Sequence, residues 1–274
     1  MTRSVNEILK DNNFKFQKSF GQNFITDTNL LAAMVSDARI NEDDIVVEIG
    51  PGAGTLTREI AKKAKHVYSF EIDKNLEPIL KETLCEFENT TVIFKDIQKV
   101  KEQELIDIIG TKEYKVVANL PYYITTPIIM RFLEGEVLPQ SITIMVQKEV
   151  AERLCSKAND EAFGAITLSI ALEGDAVITR EVSRKMFTPQ PNVDSAILRI
   201  NINDRYKDVD KKKVKKLIRA AFLMRRKTLV NNIANVFKIE KPQIAKVLNE
   251  MNIDERVRGE ALDINQYIEL ANRI

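Results

Sequence analysis

A chain of 274 residues, 44% hydrophobic and 30% charged, allows one large globular domain or two of ordinary size; no apolar run approaches the roughly 20 residues of a membrane helix, and residues 1–18 lack the apolar core of a secretory signal. Cys85 and Cys155 make neither a metal-spaced pattern nor a disulfide framework, which predicts packing roles in a reducing cytoplasm and no metal. The net charge of +1 hides a split: residues 1–179 hold 20 Lys/Arg against 28 Asp/Glu, and residues 180–274 hold 21 against 12, so either an acidic catalytic half precedes a basic half facing a polyanion, or the second half carries a solvated lysine-rich surface.

Residues 14–25 interleave phenylalanines, lysines and amides ahead of any regular element, as a lid over a cofactor, an arm on RNA or a packing strap would. Thr26 or Asp27 is placed to cap a helix running to about residue 39, with Leu30, Leu31, Met34 and Val35 on one face. Ile45-Val46-Val47-Glu48-Ile49 then reads as a buried strand, followed by Gly50-Pro51-Gly52-Ala53-Gly54 and a helical pattern over 55–64. Glycines there let backbone amides approach a ligand closely.

A second strand, Val67-Tyr68-Ser69-Phe70, ends at Glu71, where an acid can grip the hydroxyls of a ribose. The G-x-G-x-G spacing argues against the dinucleotide loop G-x-G-x-x-G, and no triphosphate-binding loop is present. A third strand, Thr91 to Phe94, ends at Lys95-Asp96; Asp96 either accepts from an adenine amino group or caps the next helix. His66, the sole histidine, precedes a strand and is assigned no chemistry.

The run Lys115-Val116-Val117-Ala118 predicts a fourth buried strand that stops at Asn119-Leu120-Pro121-Tyr122. In an open α/β sheet, ligands bind beyond the carboxyl ends of the strands. An asparagine amide and a neighbouring carbonyl can accept both hydrogens of an exocyclic amine, and Tyr122 offers a face for a nucleobase. The same tetrapeptide also suits an ordinary turn.

Further strands are predicted at 141–146 and 195–200, with a candidate at 176–181, and helices at 147–157 and 163–172. The alternation argues for a doubly wound, mostly parallel sheet with an antiparallel tail. Phe187 to Ser195, with Pro189 and Pro191, reads as a stiff loop; Phe187 is either a second wall opposite Tyr122 or a core anchor. After a linker near 201–210 the composition turns basic and helical, with a break at Pro242 and a loop near Gly259. Arg225, Arg226 and Lys227 are there to bind phosphates without reading sequence, or form a solvated face. The boundary is drawn between residues 1–204 and 205–274.

Five segments carry a resemblance to a known family. They are Lys18-Ser-Phe-Gly-Gln-Asn-Phe24, Glu48-Ile-Gly-Pro-Gly-Ala-Gly-Thr-Leu-Thr57, Asn119-Leu-Pro-Tyr122, Met145-Val-Gln-Lys-Glu-Val-Ala-Glu-Arg-Leu154 and Phe187-x-Pro-x-Pro-x-Val-Asp-Ser-Ala196. Together they resemble the rRNA adenine N6-dimethyltransferases, nearest to those acting on small-subunit rRNA, over almost the whole chain. The resemblance implies a Rossmann-like class I methyltransferase sheet with a small C-terminal helical domain. It implies S-adenosyl-L-methionine as methyl donor and two adjacent adenines in the 3′-terminal hairpin of small-subunit rRNA as target, within a pre-ribosomal small subunit, for a monomeric cytoplasmic enzyme.

Carried over by position, Asn23, Ile25, Gly50, Glu71, Asp96 and Asn119 match cofactor-contacting residues, with Gly52 added by the loop reading, and Asn119 to Tyr122 match the target-amine site. Many relatives follow that tyrosine with asparagine; here Tyr123 stands, and the resemblance gives it no role. A large-subunit enzyme of the antibiotic-resistance type is the rival reading, expected to depart from residues 146–154. A methyltransferase-fold assembly factor without activity is the other, disfavoured by the intact Asn119 and Gly50 motifs.

Overall fold

The computed structural model describes Ile8, Phe24, Ile25 and residues 27–274 apart from Glu161, Pro189 and Arg225, with Phe24, Ile25 and Thr188 described in backbone only. Contacts divide the chain into two compact units, one of residues 1–151 with 177–202 and the other of residues 152–176 with 203–274.

In the first unit, the short β-branched runs at residues 45–49, 115–119 and 141–147 become strands whose side chains are buried on both faces. Strands β2 (Ile45–Ile49), β3 (His66–Phe70), β4 (Thr90–Ile93), β5 (Lys115–Asn119) and β6 (Ser141–Gln147) lie parallel, and β9 (Ser195–Ile202) runs antiparallel to β6. With β7 (Gly174–Val182), the seven-stranded order is β4-β3-β2-β5-β6-β9-β7. The parallel sheet and antiparallel tail expected from the sequence are both present. Helix α1 (Thr28–Asp37) starts at Asp27, whose carboxylate accepts from the Asn29 and Leu30 amides, and buries Leu30, Leu31, Met34 and Val35. Helix α2 (Thr55–Ala61) follows the glycine loop; α3 (Glu77–Thr83), α4 (Glu102–Ile109), α5 (Tyr122–Leu133) and α6 (Lys148–Leu154) follow in turn.

Phe187 and Cys85 differ from the sequence reading. Phe187 is not in a loop: after a 3₁₀ turn at Arg184–Met186, strand β8 (Phe187–Thr188) pairs antiparallel with β1 (Phe24–Ile25), Ile25 opposite Phe187. That pairing joins segments far apart in the chain, so no local pattern announces it. Cys85 is exposed and packs no core, whereas Cys155 is half-buried.

The second unit gathers α7 (Ala165–Glu173), α8 (Lys211–Ala221), α9 (Leu229–Phe237), α10 (Lys241–Glu250) and α11 (Ile264–Arg273) around one core that includes Leu168, Leu217, Ile233, Leu248 and Tyr267. Residues 152–176 therefore pack with the C-terminal helices although they precede residue 204. The buried Glu173 carboxylate lies 2.6 Å from both Lys211 Nζ and Lys215 Nζ. Pro242 does not break a helix. The break falls at Lys238, which closes α9 in the left-handed conformation, and Pro242 sits in the first turn of α10, where its missing N–H costs nothing.

Candidate active site

One cleft in the first unit collects the carboxyl ends of β2, β3 and β5, the loop after β4 and Phe187 of β8. Gly50, Gly52, Glu71, Asp96, Asn119, Leu120, Pro121, Tyr122 and Phe187 all line it. Asn23 lies outside the described residues, as does the side chain of Ile25, although the Ile25 backbone is paired with Phe187. Arg225 lies outside them too, while Arg226 and Lys227 are exposed between α8 and α9 in the second unit.

The glycine loop is held by geometry that other residues resist. Gly50 has φ +69°, and a Cβ there would stand 2.9 Å from Leu120 Cδ2, so the loop and the end of β5 close on each other only because no side chain intervenes. Gly54 has φ +84°, and a Cβ would meet Thr83 Cγ2 at 3.1 Å. The loop thereby turns backbone into the cleft.

Beneath the loop lies Glu48, only 1% exposed. Its Oε2 accepts from Thr57 Oγ1 and from Ser69 Oγ, each at 2.7 Å, while Oε1 has no hydrogen-bond partner among the described residues. Burial pushes this carboxyl up to about 7; the two hydroxyls oppose the shift and the nearby Glu71 adds to it.

Glu71 is itself buried at the end of β3, and burial raises its pKa against the pull of three backbone amides. Its Oε1 accepts from Ile72 N at 2.7 Å and Asp73 N at 2.9 Å, and its Oε2 from Gly52 N at 3.3 Å. The carboxylate thus ties the glycine loop to the β3 turn and leaves acceptor capacity on Oε2. Asp96 caps no helix, because a turn follows it and the next helix begins only at Glu102; its Oδ1 accepts from Gln98 N at 3.0 Å within that turn, and the residue lines the cleft.

Asn119 ends β5 opposite Met145 of β6, half-buried, and its side chain makes no hydrogen bond among the described residues. Tyr122 begins α5, and its hydroxyl lies 2.8 Å from Ser195 Oγ at the start of β9. Sequence reasoning missed Ser195, Glu48, Ile72 and Tyr123 as parts of this region. Ser195 and Glu48 stand inside the motifs quoted above, and Tyr123 stands where the motif departs from its relatives. Among the described residues no group of His, Cys, Asp or Glu could hold a metal ion, and no helix is long and apolar enough to cross a membrane.

The cleft suits S-adenosylmethionine. A carboxylate with a spare acceptor at the end of β3 matches ribose hydroxyls, Asp96 matches an adenine amine, and the glycine backbone admits a group that a side chain would exclude.

Comparison with known proteins agrees. The family model described as ribosomal RNA adenine dimethylase matches residues 13–270. The chain is 44% identical over 274 residues to the "Ribosomal RNA small subunit methyltransferase A" of Clostridioides difficile (strain 630), covering 99% of this chain and 95% of that one. Among solved structures, a dimethyladenosine transferase from Plasmodium falciparum matches with TM-score 0.73 and 25% identity over 88% of this chain and 94% of its own. The 23S rRNA methyltransferase ErmE matches with TM-score 0.69 and 24% identity over 91% and 98%, a likeness of fold. A cleft of this construction, under a family match spanning both units, places the chain: it belongs to the ribosomal RNA adenine dimethylases.

Proposed function

We propose that the chain dimethylates the N6 amines of two adjacent adenines in the 3′-terminal hairpin of small-subunit rRNA, as a step in small-subunit biogenesis. The carrying observation is the Asn119 side chain, without a hydrogen bond among the described residues, at the end of a central strand in one cleft with Tyr122, Phe187 and Glu71. S-adenosylmethionine, when bound, supplies an electrophilic methyl group on a sulfonium. Gly50, Gly52, Glu71 and Asp96 hold and orient it, with Asn23 and Ile25 contributing from the N-terminal arm.

The target base must leave its stack to reach the cleft, and a hairpin loop makes that cheaper. Tyr122 and Phe187 wall the base. The adenine amine is a poor nucleophile because its lone pair is delocalised into the ring. Accepting both amine hydrogens, by Asn119 and a carbonyl of Leu120 or Pro121, favours a tetrahedral nitrogen whose lone pair is free to attack. The donor, when bound, would give up its methyl from sulfur to this nitrogen, whose displaced proton would pass to solvent. Alignment supplies much of the acceleration, so no strong base is required.

Residues 1–204 are assigned catalysis and cofactor binding, and residues 205–274 RNA binding through Arg225, Arg226 and Lys227. The setting is the cytoplasm, on a pre-ribosomal small subunit, with a monomeric enzyme that needs no metal. A large-subunit target has only a likeness of fold behind it. The test is transfer of tritiated methyl groups to purified subunits lacking the modification, followed by nucleoside analysis. Labelled N6,N6-dimethyladenosine in small subunits alone is expected; label confined to large subunits, or no label, overturns the reading.

A further inference from the structure

The second residue of α5 has no place in the chemistry described so far. Tyr123 is 64% exposed, the most exposed large hydrophobic side chain among the described residues, yet it lines the same cleft as Tyr122. Successive helix residues point about 100° apart, so the two rings cannot share a face. Tyr122 is turned toward Ser195, and Tyr123 stands at the mouth with no hydrogen bond on its hydroxyl among the described residues. Pro127 lies four residues on inside the helix and has no N–H to give the Tyr123 carbonyl, so the mouth also carries a backbone acceptor without its usual helical donor. An aromatic ring left in water contributes little to folding. At the mouth of the cleft it offers a flat face to a ligand.

We propose that the Tyr123 ring stacks on the nucleobase adjoining the adenine held in the cleft, so that it selects and presents the second of two neighbouring targets. This rests on the function proposed above. When one base is unstacked into the cleft, its chain neighbour loses its own stacking partner, and consecutive bases on a strand lie only about 3.4 Å apart in the stack. The neighbour is then held near the mouth by its own backbone. An aromatic face there replaces the lost stack and tolerates any base, while the Tyr123 carbonyl can accept from an exocyclic amine. Tyr123 is a positioning residue, acting on the substrate before and between transfers.

The experiment compares wild type, Tyr123→Ala and Tyr123→Phe on purified unmodified small subunits. Single-turnover rates are measured against subunit concentration, with S-adenosylmethionine affinity by calorimetry and thermal unfolding on the same samples. Tyr123→Ala is expected to raise the half-saturating subunit concentration about tenfold, within the range of a lost base–aromatic stack. Its rate at saturation, its cofactor affinity and its melting temperature should match wild type. Mass spectrometry of the digested hairpin should show Tyr123→Ala accumulating RNA with one adenine dimethylated. Tyr123→Phe, which keeps the ring, should restore wild-type behaviour.

A wild-type half-saturating concentration in Tyr123→Ala makes the ring a solvated side chain and overturns the proposal. So does a Tyr123→Phe as defective as Tyr123→Ala, since the hydroxyl would then be the active part, and so does weakened cofactor binding, which would make Tyr123 a cofactor wall. Failure of the wild-type enzyme to label small subunits would instead refute the function on which the proposal rests.

Discussion

The Tyr122 and Ser195 hydroxyls meet at 2.8 Å, joining the first turn of α5 to the first residue of β9. Ser195 is fully buried and paired with Gln147 at the end of β6, so this contact anchors the Tyr122 ring to the antiparallel strand β9, which lies between β6 and β7. The stacking role proposed for Tyr122 needs the plane of the ring fixed, and the hydroxyl bond ties the ring down from the side opposite the backbone.

Removing either hydroxyl should therefore loosen the wall without removing it. Tyr122→Phe and Ser195→Ala are each expected to cost about 1 kcal/mol of stability, with Tyr122→Phe the worse because it strands a buried hydroxyl on Ser195. The double variant should cost less than the two single losses together. A urea-denaturation double-mutant cycle reads this directly, and strict additivity would mean that the two hydroxyls are uncoupled.

Glu71 holds its own loop as well as facing the cleft. Because its carboxylate accepts from Ile72, Asp73 and Gly52 amides, Glu71→Ala should lose cofactor affinity by roughly 1.5–3 kcal/mol, the scale of hydrogen bonds to a charged group, and also lower the melting temperature. Glu71→Gln keeps one acceptor oxygen for the turn, so its affinity should fall with a smaller loss of stability. Calorimetry on both variants separates the effects. Unchanged affinity in a folded Glu71→Gln would remove the carboxylate from the cofactor site.

Much of this cleft was legible because its parts are local. The strand Ile45–Ile49, the glycine run and the proline stop after Asn119 each announce themselves within a few residues, and sheet topology brings their ends together. What escaped the sequence reading is what depends on distant partners. The ribbon that pairs Ile25 with Phe187 and the bond between Tyr122 and Ser195 each span a separation over which no periodicity survives. The placement of residues 152–176 was hidden for a related reason: Leu168 and Leu172 are as apolar as any sheet-covering helix, and only the core they enter shows their unit. The orphaned oxygen of Glu48 is likewise invisible in an apolar strand pattern.

That buried carboxyl gives a pH dependence with a definite sign. Burial pushes it up to about 7 from the ordinary carboxyl value of 4.5, so the folded protein binds more protons than the unfolded chain between those values. Stability from a protonated Glu48 is therefore full below about pH 4.5 and is lost as pH rises through about 7, by on the order of 3 kcal/mol at most. Glu48→Gln stays neutral and should escape the loss. Denaturation of the ligand-free proteins at pH 5 and pH 8 should show the variant gaining on wild type at the higher pH. A constant difference across that interval would show that Glu48 does not titrate there.

Arg226 and Lys227 are exposed in the second unit between α8 and α9. The connection is held from below by Asn232, which donates to the Ala221 carbonyl at 2.7 Å and the Met224 carbonyl at 3.2 Å. Replacing Arg225, Arg226 and Lys227 by alanine should weaken subunit binding and flatten its salt dependence. Each lost phosphate contact lowers the log–log slope by about 0.9 on duplex and about 0.7 on single strands. Cofactor affinity should not change. An unaltered slope would make these cations a solvated face.

Asn119 supplies the sharpest test, because its amide makes no hydrogen bond among the described residues that the fold would lose. It ends β5 in register with Met145, its side chain makes no hydrogen bond among the described residues, and it lines the cleft. Asn119→Ala should therefore melt close to wild type while losing an acceptor whose value grows as the amine becomes tetrahedral. An interaction strengthened only in the transition state lowers turnover without an equal loss of substrate binding. Methyl transfer should fall by about 100-fold or more, the scale of one oriented transition-state hydrogen bond, with binding of small subunits almost unchanged. Tyr122→Ala should instead weaken both steps, since removing the ring removes part of the wall that holds the unstacked base. Single-turnover transfer at saturating enzyme and cofactor isolates the chemical step. A near-wild-type rate in Asn119→Ala would assign the amine to another acceptor, and the carbonyls of Leu120 and Pro121 would then have to hold it without the amide.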